Sequence, residues 1–133
     1  LERLMTIDEF IQFRDKVEDG EDIPYPIDEN GHADIPAGTM YIKEEAFLNC
    51  SKLISVTIPD SVREIRSLAF GGCTNLASVE ISSSGSLLIR NRAFAGCTSL
   101  IDVVFKNKPL KVIAKNAFEG CPCEEEVKKL PML

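Results

Sequence analysis

Phenylalanine falls at positions 47, 70, 94 and 118, each time directly after an alanine, with spacings of 23, 24 and 24 residues. Cysteine falls at 50, 73, 97 and 121 with the same spacings. One skeleton surrounds them. It runs Ile65, Ala69-Phe70, Cys73, Leu76, Val79 and Ile81, and opens again at Ile89. The round before holds Ile42, Ala46-Phe47, Cys50, Leu53, Val56 and Ile58, and the round after holds Ile89, Ala93-Phe94, Cys97, Leu100, Val103 and Phe105. A fourth begins with Ile113, Ala117-Phe118 and Cys121 and then stops. A fixed period in this range marks a stack of coils, because a unit this short cannot bury its apolar face alone.

Each coil is expected to hold two extended pieces. Val56 and Ile58 alternate with Ser55 and Thr57, which turns the first pair inward and the second outward. Residues 76–81 and 100–105 repeat the alternation. Pro59 ends the strand and Asp60-Ser61 supplies a turn. A shorter strand follows near 63–65, with counterparts at 87–89 and 110–113. The Ala-Phe-x-x-Cys stretch then brings the chain back as a short helical or irregular turn. One extra residue in the corner at 82–86, and again at 106–109, accounts for 24 against 23. Residues 35–42 mirror 58–65, so a degenerate first coil precedes the clear ones.

The ends read differently. Thr6-Ile7-Asp8-Glu9 fits a capping box, and Ile7, Phe10, Ile11 and Val17 share one helical face, which predicts an amphipathic helix over 7–18 that covers the open end of the stack. Asn30-Gly31 is a hairpin signal, expected to join a strand near 25–29 to one near 32–35. The acidic cluster around it does not make an EF-hand, because Pro26 falls where the first calcium ligand belongs. At the other end Pro122 suits a first helical position, with Glu124, Glu125 and Glu126 behind it and Lys128 and Lys129 in the last turn. The 133 residues thus divide, within one domain, into a leader of helix and hairpin (1–34), a repeat body (35–123) and a helical cap (124–133).

Charge follows the same division. The leader carries 11 acids and 3 bases, the repeat body 7 acids and 10 bases. A mildly basic body with little aromatic interleaving is a weak case for nucleic acid. No apolar run is long enough to span a membrane. The first residues lack the apolar segment of a signal peptide. The cysteines sit at one phase of the repeat, where cysteine behaves as a small buried hydrophobe. Free thiols are therefore expected, which favours the cytoplasm for the chain as given; a cell-surface or secreted location follows if it is part of a larger surface protein.

The pattern Ile-x-x-x-Ala-Phe-x-x-Cys-x-x-Leu-x-x-Val-x-Ile-Pro resembles the BspA-like leucine-rich repeats of bacterial surface and hypothetical proteins and of some protists. The resemblance covers residues 35–123 and rests on seven positions recurring over three coils. It implies a curved solenoid with a parallel sheet along one face, and protein, host-surface or matrix binding rather than catalysis. It carries no catalytic, metal or cofactor residues to this chain. Together the readings give an α/β repeat: a short right-handed solenoid of four to five coils, helix-capped at both ends.

The expected function is a non-enzymatic protein-interaction module. Its surface is the outward columns of the main strands, Ser55, Ser78 and Asp102 in one and Thr57, Glu80 and Val104 in the next. A second, basic surface gathers Arg63, Arg66, Arg90, Arg92, Lys111 and Lys115 near the shorter strands. Through it a self-assembling protein is the first alternative, the acidic leader of one copy meeting the basic body of another. A thiol redox protein built on Cys121 and Cys123 is the second, since a thiol at a helix N-terminus is often acidified. Pairing Cys121 with His32, the only histidine, fails on distance: more than three coil rises separate them, roughly 15–20 Å.

Overall fold

The computed structural model describes residues 25–129, and the helix expected over 7–18 lies outside them. The alternation of β-branched and polar residues becomes a sequence of short strands. These are β1 (His32–Asp34), β2 (Tyr41–Ile42), β3 (Ser55–Ile58), β4 (Glu64–Ile65), β5 (Ser78–Ile81), β6 (Ser86–Ile89), β7 (Asp102–Phe105) and β8 (Leu110–Ile113). They form two four-stranded parallel sheets, ordered β1-β3-β5-β7 and β2-β4-β6-β8. The register repeats the sequence period: Ser55 pairs with Ser78 and Ser78 with Asp102, while Ile65 pairs with Ile89 and Ile89 with Ile113. The described residues therefore form a parallel-sheet β-solenoid of about three complete turns, fewer than the four to five coils expected. Two sheets replace the single one that the resemblance implied, because the shorter strands also pair coil to coil.

The third side of each coil is built from turns. Short local bonds such as Ala46 N–H to Lys43 O, Leu48 N–H to Glu45 O and Cys50 N–H to Phe47 O close it. Left-handed residues alternate with these turns and stop them from growing into a helix. Glu45, Leu68 and Arg92 form one such column, and Asn49, Gly72, Gly96 and Gly120 another. Asn and Gly tolerate this conformation, which explains the residue that precedes each ladder cysteine. Bonds between coils run along this side too: Phe47 N–H donates to Ala69 O, Phe70 to Ala93 and Phe94 to Ala117.

Inside, the rings of Phe47, Phe70, Phe94 and Phe118 stack with centroids 4.9–5.0 Å apart and planes within 8°. Tyr25 continues the column at 5.9 Å from Phe47. Phe47, Phe70 and Phe94 are fully buried, as are Leu53, Leu76 and Leu100 and Ile58 and Ile81. Each such side chain contributes about 1.5–3 kcal/mol by burial, and each stacked pair about 0.5–1.5 kcal/mol more.

Two expectations at the ends change. Asn30-Gly31 makes a turn but no hairpin ladder. Asp28 accepts the backbone N–H of both Asn30 and His32 through its side chain; one backbone bond, Asp28 N–H to His32 O, closes across the turn, but the ladder of β1 is with β3. A self-contained Asx-type turn replaces the first strand. At the C-terminal end one short helix, α1 (Glu124–Lys128), packs Val127 on the core, with Lys128 reaching Glu124 at 3.4 Å.

Two stability measurements follow. Phe70→Ala removes the middle ring and should destabilise by about 3–5 kcal/mol in a denaturant melt. Ser83, fully buried in the inserted corner, has a hydroxyl with no hydrogen-bond partner. Ser83→Ala should be neutral or stabilising by up to about 1 kcal/mol, since it deletes an unsatisfied group.

Candidate functional site

The outward side chains of β1, β3, β5 and β7 form two columns. The repeat register places His32, Ser55, Ser78 and Asp102 in one, and Asp34, Thr57, Glu80 and Val104 in the other. All of the sheet-face residues expected from the sequence thus lie together, and with His32 they line one shallow open groove. Small side chains in the middle keep its floor low. Val104 is exposed at one end, and Lys106 pairs with Glu80 beside it. None of the described residues forms a helix over this face.

Its polar end was not legible as a site. His32 Nδ1 lies 2.6 Å from Ser55 Oγ, and Nε2 lies 3.0 Å from Asp34 Oδ1 and 3.1 Å from Thr57 Oγ1. The available signal was the spacing of 23 residues from Ser55 back to His32, which puts both in one column. Serine, histidine and aspartate in a chain suggest nucleophilic catalysis. The backbone does not support it here. Ser55 sits on a flat strand and its N–H, like that of Ile54, is given to Gly31 O. Neither of these two N–H groups is therefore free to stabilise an acyl oxyanion beside Ser55 Oγ.

The basic side chains are more dispersed than the sequence suggested. Glu64 accepts from Arg66 Nε at 2.8 Å and from Arg90 Nε, and Arg66 also reaches Glu44 at 3.5 Å. Hydrogen bonds from Arg66 and then Arg90 hold the Glu64 carboxyl below its usual range. Arg66 also lies over the Tyr41 ring at 3.9 Å. Arg63 folds back onto Asp60 O. Lys111 is not on a basic surface at all. It is buried at 8% exposure in the column of Leu87, 5.0 Å over the Phe105 ring, and its Nζ donates to Pro109 O at 3.4 Å. Arg92 and Lys115 remain exposed.

All five cysteines are free and buried. They are more than apolar filler. Cys73 Sγ donates to Phe47 O at 3.0 Å, Cys97 to Phe70 O at 3.0 Å and Cys121 to Phe94 O at 2.9 Å, so each thiol ties its coil to the carbonyl of the one before. The surroundings of Cys121 run against the acidified thiol that the redox alternative needs. Hydrogen bonding to Cys123 lowers the Cys121 pKa, but the contact with Cys97, burial and repulsion from a Cys97 thiolate outweigh it and push the thiol up to about 12. The Cys121 contact and burial raise Cys123 as well. Among the described residues no three His, Cys, Asp or Glu side chains converge as a metal site would need. No described helix is long and apolar enough to cross a membrane.

The repeated skeleton, now seen as stacked coils, matches the family model of the BspA type leucine rich repeat region, in six copies over residues 30–129. The chain belongs to this family. The match begins at the turn before β1 and runs through α1, so it takes in the degenerate first coil and the C-terminal end. No curated protein and no solved structure gives a significant match.

The buried thiols should be inert to a disulfide reagent such as DTNB in the native protein and react fully on unfolding. The raised thiols also set an alkaline limit. The folded Cys121 holds its proton up to about 12 while the unfolded one releases it near 9.0. Its contribution is intact below pH 9 and declines from there towards 12. Melting temperature should fall over that window, and less steeply in Cys121→Ala.

Proposed function

We propose that this protein is a non-enzymatic protein-binding module that receives its partner on the face of the β1-β3-β5-β7 sheet. The observation that carries the reading is the two-column face itself, partly exposed, gently grooved and uncovered by any described helix. Leucine-rich repeats commonly serve as interaction scaffolds, and repeat proteins in general bind along such extended faces. The coils below hold the columns at a fixed strand spacing, so a partner meets a pre-arranged surface and little ordering is needed on this side. We read the winding of the coils as right-handed, the hand that parallel crossovers take in nearly all folds. Self-assembly through a basic flank has less support, because Arg66 and Arg90 already share Glu64 and Lys111 faces inward.

The test is a pull-down with the intact chain beside a Thr57→Arg, Glu80→Arg, Val104→Arg triple variant, both first shown to be folded. A partner retained by the intact chain and lost by the variant is the expected result. Equal retention by both would place the contact away from this face.

A further inference from the structure

We propose that His32 is a proton-operated selector on the sheet face, setting whether Ser55 presents a hydrogen-bond donor or an acceptor to whatever docks there. The proposal rests on reading that face as the docking surface, and names its regulation. Asp34 is an acceptor when ionised, so the ring nitrogen beside it, Nε2, carries the hydrogen in the neutral imidazole. Nδ1 is then bare and accepts the Ser55 hydroxyl at 2.6 Å. In that state the Ser55 hydrogen is occupied and only its lone pairs face outward. Protonation places a hydrogen on Nδ1 as well. The imidazolium then donates to Ser55 Oγ, and the hydroxyl hydrogen must turn away towards the groove.

The groups that face the ring come from its own strand, the turn before it and β3. Asp34 lies on the same strand and Asp28 in the turn before it, where its side chain accepts the His32 backbone N–H. From β3 the ring is faced by Ser55 and Thr57, which carry no charge. Farther along the groove stand Glu80, paired with Lys106, and Asp102. Thr57 sits at Nε2, whose hydrogen is present in both states, so its role does not invert. The switch is thus confined to one hydroxyl, in the middle of the column His32-Ser55-Ser78. Lower pH turns this part of the face towards acceptors such as a partner's backbone carbonyl. Higher pH turns it towards donors.

The experiment is a pH titration by NMR of the free protein from pH 8 to pH 5, the interval over which histidine ordinarily changes charge. It reads the His32 ring Cε1 together with the Ser55 and Thr57 Cβ shifts. Ser55 should follow His32 with one shared midpoint, and the response should vanish in His32→Asn. A Ser55 signal that stays flat, or one that still titrates in His32→Asn, would overturn the proposal. Because the readout needs no partner, its failure is distinct from failure to capture one.

Discussion

The distance between stacked phenylalanine rings governs this molecule. At 4.9–5.0 Å it matches the spacing of hydrogen-bonded strands, so ring stacking and two sheet ladders are satisfied by the same rise per coil. That coincidence requires every coil to return its ring to the same place. A change in coil length is tolerated only where it does not move the ring, and the extra residue of the later coils accordingly sits in the corner around 82–86. The cost appears there as the buried, unpartnered Ser83 hydroxyl. The same requirement explains the left-handed residues on the turn side. Leu68 and Arg92 take up positive φ without being Gly or Asn, at an expense of about 1–2 kcal/mol each, because the turns must bring the next phenylalanine into line.

The cysteine column follows from this geometry. A residue at that phase must be small enough to sit beside the rings, and it faces a phenylalanine carbonyl of the preceding coil. Cysteine meets both conditions, with a compact apolar body and a weak donor. At Cys97 and Cys121 the contact with the preceding cysteine and burial push the thiol up. The five thiols therefore resemble a disulfide framework only in number. Three of them, Cys73, Cys97 and Cys121, are fasteners between coils, and the contacts and burial around Cys121 and Cys123 raise both thiols.

With the inward positions committed to the stack, variation is left to the outward ones. Ser55, Ser78 and Asp102 occupy equivalent places and differ in charge and size, as do Thr57, Glu80 and Val104. Their side chains can differ without disturbing the stack beneath them. The flank near the shorter strands has spent much of its charge internally, since Glu64 draws in two arginines and Lys111 fills the place of a leucine at the last coil. Charge counted along the chain overstated that surface, because a count does not show which way a side chain turns.

The repeat, its period, the inward rows and the outward columns were all determined by the sequence alone, because a solenoid maps sequence spacing directly onto spatial neighbours. Residues 23 or 24 apart touch, and Ser55, Ser78 and Asp102 could be placed side by side before any fold was known. What lies between coils in other ways was decided only by the tertiary structure. The shorter strands were legible from the repeat, but that pieces as brief as Tyr41–Ile42 pair coil to coil into a second sheet was not. The turn at Asn30-Gly31 carries the letters of a hairpin, yet β1 found its partner in β3, since the ladder to the next coil also buries Ala33. The burial of Lys111, and the meeting of His32 with Asp34, Ser55 and Thr57, depend on side-chain rotamers and on where the stack ends, and neither is written in a periodic pattern.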